Sequence, residues 1–277
     1  EYTDEEEEVD DVDVTLENAY YNAKGMRENG DISEAADAFD KILKMEAEAL
    51  NNNEDNTDDE KQQKFGPWSY KAIKQLVKLH LLKTGNGQEA IRLYERLLDC
   101  IASPGCAGVS PNAVEKGVNG MLDRVSSGNS DQVLAKSVYD ATLRVFHPSS
   151  GTCPNERLWF KTNLKYGQLL YEMNETNKLT IVIRDLLQKE QQGSSTNLME
   201  IYALQIQLYS RQNDNKKLRQ IFQKAMRVQG GIPHPRTLAL IQELGGKMHM
   251  ASREFEAAGK TFFQAFKSYD EAGDPAR

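Results

Sequence analysis

Proline placement constrains this chain more than any other feature of its sequence. Pro67, Pro111, Pro154 and Pro235 each stand at the first turn of a run of helically spaced apolar residues. There the missing N–H costs nothing and the fixed φ suits the helix. Their separations are 44, 43 and 81 residues, the last close to two units of about 40. The unit without a proline begins near Ser194 or Ser195, both good capping residues, and Ser110 is placed to cap the helix opened by Pro111. Asp31 with Glu34 forms a capping-box-like pair at the head of another helix. The remaining prolines, Pro104, Pro148, Pro233 and Pro275, all fall between helices.

Apolar periodicity predicts twelve helices, over about 16–29, 31–49, 67–83, 87–102, 111–126, 131–146, 155–173, 175–190, 195–212, 214–229, 235–250 and 252–271. In the last of these, Phe255, Ala258, Phe262, Phe266 and Tyr269 mark the expected buried face. No sustained two-residue alternation marks a strand. Two helices per unit of about 40 residues predict an all-α chain. The expected form is a right-handed superhelical α-solenoid of about six tetratricopeptide-like hairpins over 16–277, each burying one face on its neighbour. Gly25, Ala35, Ala36 and Phe39 loosely match the small and aromatic positions of a tetratricopeptide unit.

Charge is unevenly placed. Residues 1–13 hold nine acids and no base, so the net charge of -8 becomes about +1 without them. Such a block buries too little to offset its ordering entropy, and a disordered acidic tail is expected over 1–15. Residues 51–64 (NNNEDNTDDEKQQK) read as a flexible acidic insertion, and 103–110 (SPGCAGVS) as a tighter connection. The cysteines (Cys100, Cys106, Cys153) form no disulfide framework and point to a reducing compartment. Cys100 and Cys106 also lack zinc-knuckle spacing. No apolar run approaches the roughly 20 residues needed to cross a bilayer. A chain that begins with Glu rather than Met reads as a piece of a longer one.

Signatures of catalysis are missing. Gly85, Asn86 and Gly87 follow a helix rather than a strand, so they read as a helix-to-helix turn and not a dinucleotide loop. His80 shares its helix side with Ile73, Leu76 and Val77 and is expected in the core. No phosphate loop, zinc-hydrolase spacing or nucleophile context occurs, which predicts no catalytic residue and no metal. Basic stripes are the more informative pattern. Lys71, Lys74 and Lys78 fall within about 60° of arc on one helix. Arg157, Lys161 and Lys165 repeat the arrangement two units later, and Lys116 lies on the helix between. Stacked first helices would gather these into a groove for phosphates or acidic protein segments. The alternative is that each stripe is only the solvated face of an amphipathic helix. Nucleic acid is not expected, because the body is nearly neutral and lacks aromatic platforms or a recognition-helix motif.

Four segments carry a family resemblance: LENAYYNAKG from Leu16, LWFKTN from Leu158, LMEIYALQIQLYS from Leu198, and the stretch from Ile232 to Arg277. Together they resemble the N-terminal helical-repeat arm of the COP-9 signalosome subunit 2 family, which are PCI-domain proteins. The last segment is shared with proteasome-lid scaffold subunits, an alternative of the same class. The resemblance implies a non-catalytic scaffold of the complex that removes the ubiquitin-like modifier Nedd8 from cullin–RING ubiquitin ligases, in nucleus and cytoplasm. It implies partners among the other signalosome subunits, the cullin and the RING subunit, with no membrane, and a PCI domain beyond Arg277. Inositol hexakisphosphate is the implied bridging ligand. Lys71 matches the family's basic position within WSYKAIKQLVK, Lys74 and Lys78 match neighbouring lysines, and Arg157 and Lys161 match those around LWFKTN. Lys116 and Lys165 extend the set.

Overall fold

The computed structural model describes residues 4–52, 65–126, 132–149, 155–190, 195–228, 230 and 233–274. Among these, every regular element is helical: α1 (Asp4–Asn29), α2 (Ile32–Asn52), α3 (Pro67–Leu79), α4 (Gly87–Ala102), α5 (Pro111–Ser126), α6 (Gln132–Phe146), α7 (Glu156–Glu172), α8 (Thr176–Lys189), α9 (Ser195–Arg211), α10 (Asn215–Met226), α11 (Pro235–Ala251) and α12 (Phe255–Glu271). The all-α helical-repeat reading holds, and the odd-numbered helices from α3 onward start at intervals of roughly 40 residues.

Local chemistry sets the helix ends. Ser110 Oγ accepts from Ala113 N–H at 3.3 Å, as a cap should. Asn155 Oδ1 accepts from Leu158 N–H at 2.9 Å and so caps α7. Because α7 begins at Glu156, its first turn starts after Pro154, which itself lies outside the described residues. Gly85 takes φ 66° and Asn86 caps α4 by accepting from Glu89 N–H, giving the expected helix-to-helix turn.

Three expectations are corrected. α1 extends back to Asp4, through most of the segment expected as a disordered tail over 1–15. Further along α1, Asp13 accepts a hydrogen bond from the Trp68 indole N–H. His80 is only half-buried, with Nδ1 3.2 Å from Thr84 Oγ1. His80 is the C-cap of α3, where the helix passes into a π-helical turn over His80–Thr84. Phe255 and Phe266 are 63% and 61% exposed. The buried face of α12 is instead Ala258, Thr261, Ala265, Ser268 and Tyr269, and the Phe262 ring fits where α11 presents Gly246. A Cβ on Gly246 would lie 2.7 Å from the Phe262 ring. The insertion expected at 51–64 falls, beyond Asn52, outside the described residues.

The chain divides into two compact units, Glu1–Trp159 and Phe160–Arg277. In the first, α1 packs on α2, α2 on α3, α3 on α4, and α4 and α5 on α6. Its core includes the Tyr20 ring between Phe39 and Trp68, with centroids 6.0 and 5.8 Å away. In the second, α9 packs on α10 and α11, and α11 on α12.

The head of α3 is held unusually. Gly66 occupies the N-cap and has no side chain to offer, so Glu46 of α2 supplies the acceptor. Its buried carboxylate accepts from Gly66, Trp68 and Ser69 N–H at 3.1, 3.0 and 2.6 Å. A Cβ at position 66 would fall 2.4 Å from Glu46 Oε1, which explains the glycine. Replacing Glu46 with Ala leaves three buried donors unmatched and should cost about 2–3 kcal/mol. Glu46→Gln, which keeps one acceptor oxygen, should cost less. Urea unfolding followed by tryptophan fluorescence measures both, and a Glu46→Ala protein as stable as the parent would refute the assignment.

Candidate functional site

One face of α3 packs into the first unit through Ala72, Ile73, Leu76, Val77 and Leu79, which leaves Lys71, Lys74 and Lys78 on the other side. These lysines are half-buried rather than fully solvated. Aromatic rings lie beneath two of them: Lys71 Nζ sits 3.4 Å from the centroid of the Trp68 ring, and Lys74 Nζ 5.0 Å from that of Tyr70. Both rings are themselves buried, and Tyr70 is fixed by donating its hydroxyl proton to Ala113 O at 2.9 Å. The ammonium groups therefore rest on a rigid π surface.

Electrostatics reveals how crowded this face is. Burial, then repulsion from Lys71, lowers the pKa of Lys74 below the ordinary lysine value. Burial also lowers Lys78, followed by the charges of Arg124, Lys74 and Arg27. Five cations from α1, α3 and α5 thus share one electrostatic neighbourhood. Arg27 is oriented by donating to Gln75 Oε1, while Gln75 Nε2 donates to Tyr20 Oη at 2.8 Å. Arg124 Nη1 donates to Gly120 O at 2.5 Å. Sequence reasoning missed both arginines. Their only signal was position, each being the basic residue in the last turn of its helix.

The other expected side chains are placed differently. Lys116 and Arg157 belong to the first unit and are exposed, and Arg157 Nε lies 3.6 Å from Glu115 Oε1, so part of its charge is already met. Lys161 and Lys165 belong to the second unit. Lys165 lines a cleft of about 420 Å³ together with Glu200, His234 and Arg236. Burial raises the Glu200 pKa, and the charges of His234 and Lys161 oppose that rise. The expected stripe on α7 is therefore set among a carboxylate and a histidine, not among cations alone. Among the described residues no group of three metal-ligating side chains occurs, and no helix is long and apolar enough to cross a membrane.

No protein-family model matches the chain. Among curated proteins it is similar to COP9 signalosome complex subunit 2 of Dictyostelium discoideum, 37% identical over 272 residues, covering 95% of this chain and 55% of that protein. It is 36% identical to the Caenorhabditis elegans protein of the same name, over 99% of this chain and 52% of that protein. The Drosophila melanogaster protein of that name is 37% identical, over 96% of this chain and 55% of that one. The chain spans about half the length of the curated relatives it matches.

The crowding has a direct spectroscopic consequence. Replacing Arg124 with Gln removes the largest charge acting on Lys78, so the Lys78 pKa should rise toward that of a free lysine. Lys74, whose charge cause is Lys71, should move less. Heteronuclear NMR titration of the lysine side chains resolves this, and an unmoved Lys78 would remove Arg124 from the cluster.

Proposed function

Since the chain belongs, over the half of their length that it spans, to the family of COP9 signalosome complex subunit 2, we propose that it is a non-catalytic scaffold subunit of a signalosome whose α3 face holds a polyanion. In this reading the helical arm engages the cullin and RING subunit of cullin–RING ubiquitin ligases during deneddylation, in nucleus and cytoplasm. Inositol hexakisphosphate bridges the two sides. The relatives' shared name favours this over a proteasome-lid scaffold.

The observation that carries the proposal is the concentration of Arg27, Lys71, Lys74, Lys78 and Arg124 in one neighbourhood, with Lys71 over the Trp68 ring and Lys74 over the Tyr70 ring. Lys74 and Lys78 are half-buried and held down by burial and by the charges beside them, so their charged forms are disfavoured where they stand. A polyanion reverses the sign, converting mutual repulsion into shared attraction through charge-assisted hydrogen bonds. Several phosphates on one ring suit several cations on three helices better than a single carboxylate does. Lys116 and Arg157 stand as outer contacts, the latter in competition with Glu115. Lys161 and Lys165 belong to the second unit and are not part of this α3 cluster.

The pH dependence follows in sign. A polyanion requires protonated lysines, so binding is at full strength below the lowered pKa values of Lys74 and Lys78 and is lost as pH rises through them. That loss begins earlier than it would for ordinary solvated lysines. The decisive variant exchanges Lys71 and Lys74 for Glu together. Titration calorimetry with inositol hexakisphosphate should show at least about a 10-fold loss of affinity, with far-UV circular dichroism unchanged. Unaltered affinity would reject the site.

A further inference from the structure

Two thiols outside the cationic face are brought together in a way their sequence positions do not suggest. Cys100 is fully buried in the last turn of α4, and Cys106 is 5% exposed in the 3₁₀ turn Pro104–Gly108. Their sulfurs are 2.8 Å apart, and both are free. A disulfide measures about 2.05 Å, so closing the gap requires under about 1 Å of movement. Cys106 Sγ also donates to Gly66 O at 3.3 Å, at the N-cap of α3.

We propose that Cys100 and Cys106 form a modification site: a dithiol that closes to an intramolecular disulfide by exchange with a small disulfide such as oxidised glutathione. Cys106 is the point of entry. It sits on a short turn containing two glycines, whereas Cys100 is anchored in a helix beside Leu97 and Leu98 in the core. Opening of the turn exposes Cys106, whose thiolate attacks one sulfur of oxidised glutathione and expels one glutathione thiolate. Cys100 then gives up its proton and attacks the Cys106 sulfur of the mixed disulfide, expelling the second glutathione. Two electrons pass from the protein pair to the glutathione disulfide, and the two thiol protons end on the two glutathiones.

The surroundings set the rate of each step. The hydrogen bond to Cys106, then burial, pushes the Cys100 thiol well above the usual cysteine range, so the closed pair is slow to react. Local opening of the turn governs entry. Resolution is fast because the second sulfur is already in contact, a large effective concentration. The bond would tie the end of α4 to the turn leading into α5 and remove the S–H donor from Gly66 O, directly at the head of α3. The proposal does not depend on the polyanion reading.

Incubation of the full chain with oxidised glutathione at mildly alkaline pH, followed by intact mass spectrometry, tests it. The expected product is a monomer lighter by about 2 Da, the two hydrogens lost on closure. It should carry no lasting glutathione adduct, and non-reducing peptide mapping should join Cys100 to Cys106. Dithiothreitol should restore the original mass. Cys100→Ser should instead trap glutathione on Cys106, and Cys100→Ala serves if the serine variant does not fold. An unchanged mass in native buffer, when the same treatment in urea modifies the chain, would overturn the proposal. So would a bond that uses Cys153, or a persistent adduct on the parent protein.

Discussion

A buried carboxylate at the junction of α2 and α3 governs where the basic helix lies. Pro67 has no N–H and Gly66 has no side chain, so the donors at the head of α3 must be satisfied from another element, and Glu46 meets Gly66, Trp68 and Ser69 at once. The two helices are thereby fixed in register, and the two residues following Ser69 in the next turn, Tyr70 and Lys71, are placed with them. The negative charge also sits at the positive end of α3, while Lys78 occupies its last turn, where the helix carbonyls favour a cation. Both ends of the helix dipole are matched, which offsets part of the strain of carrying three lysines on one short helix.

The reach of Tyr70 from α3 onto α5 then concentrates the charge. A Cβ on Gly117 would lie 2.3 Å from Tyr70 Oη and 3.6 Å from Lys74 Cδ, so only glycine permits this approach. Arg124 stands seven residues further along, on the same face of α5 as Gly117. The contact that seats Tyr70 under Lys74 therefore also carries Arg124 toward Lys78. Packing and electrostatics are one arrangement here. A bulkier residue at position 117 would move the arginine away and relieve the lysines together.

What could be read in the sequence was what depends on local chemistry. Prolines, caps and helical periodicity located each helix of the described residues apart from the start of α1, because each signal acts within a few residues. The lysines of α3 were legible for the same reason. What could not be read depends on contacts between elements. Arg27 joins the cluster through the packing of α1 on α3, and Arg124 through the contact of Tyr70 with α5. Cys100 and Cys106 meet because a 3₁₀ turn folds back on the end of α4. His80 stands at the C-cap of α3, and on α12 it is Phe262 whose ring fits against Gly246 of α11, while Phe255 and Phe266 lie outside. The acidic segment misled for a different reason. Composition alone favours disorder, but a helix that continues into buried Leu16, Tyr20 and Ala23 can propagate backward at little cost per residue.

The distinction between a merely solvated face and a binding face rests on how freely the charges could separate. Lysines on an ordinary amphipathic helix keep their flexible stems in water and spread apart when they repel. On α3 the Lys71 and Lys74 ammonium groups lie over Trp68 and Tyr70, with cation–π contacts worth about 0.5–1 kcal/mol each at accessible sites. That attraction holds the ammonium groups where mutual repulsion would move them. It also removes much of the ordering cost, roughly 0.5–1.5 kcal/mol per long side chain, that a ligand would otherwise have to offset. An aromatic floor under crowded cations therefore does for a polyanion what preorganised donors do for any anion. It keeps the charge concentrated before the ligand arrives, and a solvated stripe without such a floor would not.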